Sequence, residues 1–100
     1  MLPKYAARVK DSHFCPQFSG NVAHLGGKIE EPGIETVLIG GKPAAVAGTV
    51  CKCEAGGPHA IKSGSKTVLI NGMQAARLGD PTVHPGGMII SGYEKVIIGD

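Results

Sequence analysis

All four histidines and all three cysteines of the 100-residue chain fall in three short segments. Residues 11–27, DSHFCPQFSGNVAHLGG, hold His13, Cys15 and His24. Residues 48–60, GTVCKCEAGGPHA, hold Cys51, Cys53 and His59, and residues 79–87, GDPTVHPGG, hold His84. Imidazole nitrogen and thiolate sulfur are the ligands zinc prefers, four to a tetrahedron. An odd number of cysteines excludes a complete disulfide framework. In a reducing compartment, thiols beside histidines point to metal instead.

Spacing narrows the set. HLGG and HPGG are one local motif, so His24 and His84 should occupy equivalent places. Counted from Asp11, Thr49 and Asp80, His13 shares an offset with Cys51, and Cys15, Cys53 and His84 share another. These relations point to a site of three histidines and one cysteine: His13, His24, His84 and either Cys51 or Cys53. Cys53 is preferred because it shares the offset of His84; Cys51 and His59 are the alternates. Four protein ligands leave no open position, so the metal would be structural. Zinc is expected, and iron is compatible with these donors. A second chemistry is a Cys15 nucleophile activated by His13, two residues away on an extended segment. No third orienting group or cleft accompanies that pair, and no enzymatic activity is expected.

The segments carrying these residues link copies of a repeat. Residues 36–49, TVLIGGKPAAVAGT, recur at 67–80 as TVLINGMQAARLGD. A third copy, IISGYEKVIIGD from Ile89, stops at the C-terminus, and PKYAARVKD at 3–11 supplies its missing half. Early detection of such a period decides the fold. Units whose ends complement each other close into a pseudo-threefold ring, which gathers the three linking segments at one end.

Each unit reads as a β-hairpin. TVLI, TVLI and KVII are short β-branched runs ended by GG, NG and GD. Asn71-Gly72 suits a type I′ turn, where both central residues need positive φ, and Gly40-Gly41 serves the same geometry. KPAAVAG and MQAARLG are then return strands. No long stretch keeps a helical period without Gly or Pro interrupting it, so the expected fold is all-β. Aromatics make up only 4% of the chain and Gly 16 of its residues, so the core is thin and a metal or partner should stabilise it. Arg8 with Asp11 and Arg77 with Asp80 recur at matching positions, Val46 and Thr49 replacing them in the middle copy; surface ion pairs of little value are expected. The GG pairs are read as tight turns, because no helix follows to bind phosphate.

Lysines and arginines are scattered and not interleaved with aromatics, at a net charge of +2, which argues against nucleic-acid binding. No stretch is apolar enough to span a bilayer, and the N-terminus lacks a signal peptide's apolar region. Synthesis in the cytoplasm is expected.

The copies GKPAAVAG, MQAARLGD and KYAARVKD resemble the Pro-Ala-Ala-Arg motif of the PAAR-repeat family. The first keeps Pro43-Ala44-Ala45 with Val46 for Arg, the second keeps Ala75-Ala76-Arg77 with Gln74 for Pro, and the third keeps Ala6-Ala7-Arg8. DSHFCP, HLGGKI, CKCEAGGPHAI and HPGGMI are similar to the family's connecting segments, so the resemblance covers essentially the whole chain. It implies a small cone-like β-prism of three hairpin units, with an apical metal, usually zinc on three histidines and one cysteine. It implies a seat on the blunt end of a trimeric β-helical spike, either the valine-glycine repeat protein of type VI secretion or a contractile phage's central spike. The tip would sharpen that spike for membrane puncture, as a monomer on a homotrimer, with effector proteins as possible companions. Residues 1–100 are expected to form one PAAR domain without an effector extension. The alternative is a cytoplasmic zinc-stabilised adaptor.

Overall fold

The β-branched runs and glycine turns fold as strands. The computed structural model describes residues 4–53 and 58–99, and among these there are β-strands and no helix. Pro3, residues 54–57 and Asp100, which belong to segments quoted above, lie outside the described residues. β1 spans Lys4–Ala6, β2 Ser12–Ser19, β3 Val22–Lys28, β4 Ile34–Ile39, β5 Lys42–Ala44 and β6 Val50–Lys52. β7 spans Pro58–Ala60, β8 Leu69–Ile70, β9 Met73–Gln74, β10 Met88–Ile89 and β11 Tyr93–Ile98.

Three antiparallel pairs correspond to the repeats: β4–β5, β8–β9 and β1–β11. The third joins the two ends of the chain, Lys4 opposite Ile98 and Tyr5 opposite Ile97, as the permuted repeat requires. The turns are those the sequence implies: Gly40 and Gly41 have φ of 58° and 83°, Asn71 and Gly72 of 55° and 81°.

The return strands are shorter than expected. From the paired alanines onward the backbone leaves its own hairpin and bonds to the neighbouring units. Ala7 N–H donates to the Ala76 carbonyl (2.9 Å), Ala76 N–H to Ala45 (3.0 Å), and Ala45 N–H to Ala7 (3.1 Å). This closed circuit of three bonds is the pseudo-threefold axis in hydrogen-bonded form. Further out, Lys10, Gly48 and Gly79 donate to the carbonyls of Ile29, Ile61 and Ile89. Those three isoleucines return the bonds to Asp11, Thr49 and Asp80.

The core follows the same symmetry in two layers. One contains Ala6, Ala44 and Ala75 with Ile39 and Ile98; the other contains Ala7, Ala45 and Ala76 with Ile29, Ile61, Ile89 and Cys51. Three backbones meeting at an axis leave room only for methyl groups there, so the bulk comes from isoleucines around them. Each fully buried isoleucine contributes about 1.5–3 kcal/mol.

The recurrent Arg and Asp are not surface pairs. Arg77 and Asp80 are buried, with Nε–Oδ2 and Nη2–Oδ1 distances of 3.0 and 2.9 Å, and Arg77 Nη1 also donates to the Gly99 carbonyl. Asp80 also accepts the Arg77 backbone N–H at 2.7 Å, as Asp11 accepts that of Arg8 at 2.8 Å. In the middle copy Thr49 Oγ1 accepts the Val46 N–H at 3.0 Å. The repeated requirement is therefore a side-chain oxygen that closes the turn. Thr meets it without leaving a charge to be paired, which is why Val46 can stand where Arg stands elsewhere.

Candidate metal centre

Two of the three segments expected to link the repeats are themselves strand pairs, whereas residues 79–87, with His84, form turns and bends ahead of β10. β2 and β3 form the longest hairpin among the described residues, with His13 opposite Gly27 and Cys15 opposite Leu25, and β10 adds to the free edge of β2. β6 and β7 pair Cys51 with His59. Side chains alternate between the faces of a strand, so His13 and Cys15 are buried while Phe14 and Pro16 are exposed. Cys51 and Cys53 alternate with Lys52 in the same way. The glycines of HLGG allow close approach: a Cβ at Gly26 would collide with the His13 carbonyl, and one at Gly27 with that of Lys52.

The result is one continuous cluster of imidazoles and thiols at one end of the body, adjoining the core through Cys51. Cys15, His24, Cys53 and His84 form a group whose ligand atoms lie within 4.8 Å of one another; His13, Cys51 and His59 form a second. Cys15 Sγ lies 3.5 Å from His24 Nδ1 and 3.3 Å from His84 Nδ1, and Cys53 Sγ lies 3.7 Å from His84 Nδ1. In the second group His13 Nε2 and His59 Nε2 are 3.2 Å apart, and Cys51 Sγ is 3.8 Å from His59 Nε2. Cys53 touches both groups, with Sγ 3.2 Å from His59 Nε2 and 3.6 Å from His13 Nε2. Ser19 Oγ holds the remote nitrogen of His24 at 2.7 Å, an outer contact of the kind that orients a metal-bound imidazole.

Of the expected set, His24, Cys53 and His84 thus fall in one group, while His13 joins the alternates Cys51 and His59. Cys15, outside the expected ligand set, completes the first group. Its equivalence to Cys53 and His84 was the available signal.

The donor chemistry fits a soft, divalent cation. Burial pushes the Cys51 thiol up to about 12, with the neighbouring Cys53 and Cys15 thiols adding to it. Burial does the same to Cys53, also to about 12, with Cys15 the next cause. Burial lowers His59 to about 4, reinforced by the charges of His84, His13 and His24. His13 is also lowered by burial, the Gly27 backbone partly offsetting it and His84 adding to it. Without an ion, burial therefore favours protonated thiols at Cys51 and Cys53 and neutral imidazoles at His13 and His59. A cation reverses the thiol preference and takes the imidazole lone pairs directly. His13 Nδ1 and Thr82 Oγ1 are the buried side-chain polar atoms without a hydrogen-bond partner among the described residues. The Thr82 position is the third-copy equivalent of His13 and Cys51.

No helix among the described residues is long and apolar enough to cross a membrane. No curated protein sequence matches the chain significantly. The PAAR motif family matches residues 19–91. That span contains two repeats, the β6–β7 hairpin between them and five of the cluster's seven residues, and the chain accordingly belongs to the PAAR motif family.

Proposed function

We propose that this protein is a spike tip of a contractile injection apparatus. It caps the blunt end of a trimeric β-helical spike, resembling the valine-glycine repeat protein or a phage central spike, and sharpens it for puncture of a target membrane. The observation that carries this reading is the closed Ala7–Ala76–Ala45 circuit: one chain imitates a trimer, so one copy can match three identical subunits. The equivalent side chains Leu38, Leu69 and Ile97 support it, because they are exposed to nearly equal extents, 61%, 58% and 56%. They lie on the three repeat hairpins, whose buried residues belong to the core layer that excludes Cys51. Three equivalent apolar side chains suit a threefold partner, and strand edges beside them could continue its sheets.

At the narrow end a structural ion substitutes for a core that Gly-rich hairpins cannot build. Zinc is the proposed ion, with iron possible. His24, Cys53 and His84 are proposed ligands, and the fourth place falls to His13, as the sequence suggests, or to Cys15, which lies nearer His24 and His84. Closed coordination suits a mechanical rather than catalytic role.

The test is binding to a purified trimeric β-helical spike, followed by native mass spectrometry. One chain per trimer is expected. Leu38→Asp, Leu69→Asp and Ile97→Asp combined should abolish binding while leaving the metal content and circular dichroism unchanged. No binding to any such spike would leave the metal-stabilised adaptor as the better reading.

A further inference from the structure

We propose that the cluster holds two metal ions rather than one, with Cys53 as a shared, bridging thiolate. This rests on the reading of the cluster as a metal site, and extends it. Two tetrahedra joined at one corner need seven ligands, and the chain's four histidines and three cysteines all lie in the cluster. The first ion takes Cys15, His24, His84 and Cys53. The second takes His13, Cys51, His59 and the same Cys53.

The distances support this division. Within a tetrahedral zinc site, nitrogens and sulfurs bonded at about 2.0–2.3 Å stand roughly 3.3–3.8 Å apart. Three contacts within the first group, Cys15–His24, Cys15–His84 and Cys53–His84, run from 3.3 to 3.7 Å, and all its ligand atoms lie within 4.8 Å of one another. Those joining the second group to itself and to Cys53 run from 3.2 to 3.8 Å. No single ion accommodates both sets. A four-ligand ion on the first group would leave two imidazoles and a thiol crowded together beside it.

The ring geometry separates the two ions. His59 and His84 stack in parallel, 3.8 Å between centroids and 3° between planes. An ion bound to an imidazole lies near its ring plane, so these rings hold their ions in two planes about one stacking distance apart. Two ions in those planes stand no closer than the plane spacing, which is compatible with the roughly 3.5–4 Å of known two-metal sites. A thiolate has lone pairs enough to bridge such a gap. Three thiolates against two divalent ions also leave the buried cluster with a net charge near that of a single Zn²⁺ with one thiolate.

The experiment loads the full chain with excess zinc under reductant, removes weakly bound ion by desalting, and counts metal by elemental analysis and native mass spectrometry. Two ions per chain are expected. Cobalt(II) titration should show thiolate-to-cobalt absorption growing up to two equivalents. The electron paramagnetic resonance signal should weaken at the second, as two bridged ions couple. Cys51→Ser and, more gently, His59→Ala should each reduce the count from two to one without losing the first ion. A count of one at saturation overturns the bridged pair while leaving a single metal site intact. A count of zero overturns both. A count that stays at two in folded His59→Ala and Cys51→Ser protein also overturns the assignment, because the second ion would then be adventitious.

Discussion

The alanine core and the cluster of imidazoles and thiols adjoin through Cys51, yet only the core keeps the threefold symmetry. Around the axis the three copies contribute the same residue, Ala7, Ala45 and Ala76, and the same isoleucine, Ile29, Ile61 and Ile89. Six residues beyond those alanines the copies diverge to His13, Cys51 and Thr82, and two residues later to Cys15, Cys53 and His84. Hydrophobic burial is non-directional, so three identical contributions pack as well as any. Coordination is directional and counted in fours. Threefold equivalence supplies at most three corners of a tetrahedron, and the fourth must come from outside it. His24 does this for the first group, and His59 adds an off-symmetry ligand to the second.

If the two ends are held by different forces, removing metal should act on one of them. Chelation of the loaded protein should lower the thermal midpoint by about 15–30 °C, since loss of a structural ion removes several kcal/mol and each one shifts a domain of this size by about 4–8 °C. Hydrogen exchange should then show β2, β3, β6 and β7 deprotected before β4, β5, β8 and β9. An unchanged melt after verified metal removal, or uniform loss of protection, would break the comparison.

Next in size is the contrast between charged and neutral turn closures. Asp80→Ala leaves the buried Arg77 guanidinium without its carboxylate and should cost about 3–5 kcal/mol. Thr49→Ala removes one hydroxyl that accepts a backbone N–H and should cost only about 1 kcal/mol. Denaturant melts of the loaded protein measure both, and equal costs would mean that the Arg77 pair contributes no more than the turn itself.

The pH response of the ion-free protein sharpens the contrast further. His59 binds its proton near 6.5 when unfolded but only near 4 when folded. Between those values the unfolded chain holds more protons, so stability falls as pH drops from 6.5 to 4. Cys51 and Cys53 ionise near 9 when unfolded and near 12 when folded. There the folded chain holds more protons, so stability falls as pH rises through 9 towards 12. Urea midpoints of ion-free protein should peak between about pH 6.5 and 9; a monotonic profile would contradict this.

The smallest effect concerns Lys10. Its φ is 77°, where the equivalent Gly48 and Gly79 have 95° and 92°. A side chain costs about 1–2 kcal/mol in that region, and glycine's extra chain entropy offsets part of the relief. Lys10→Gly should stabilise by about 0.5–1 kcal/mol in a denaturant melt.

Much of the fold was legible. The Asn71-Gly72 and Gly40-Gly41 turns could be read because a type I′ turn excludes most other residues. The permuted third repeat could be read because only PKYAARVKD resembles the half that is missing. Other features were not legible. The pairing of Arg77 with Asp80 was local and legible, but its burial depends on the distant Gly99 carbonyl arriving beside it, and no local pattern encodes that. The β2–β3 hairpin reads as linking sequence because its inward positions are His, Cys and Gly rather than the apolar residues that usually announce a buried strand face.

By itself, the sequence determined that three hairpins would close on one another and bring every histidine and cysteine to one end, since repetition and turn chemistry are local properties. Only the tertiary structure decided which ligand meets which. That choice depends on which residues each pairing sets together: β2–β3 puts Leu25 opposite Cys15, with His24 beside it, and β6–β7 puts His59 opposite Cys51. A distance between side chains far apart in the chain is set by the whole path between them, and residue types do not record that path.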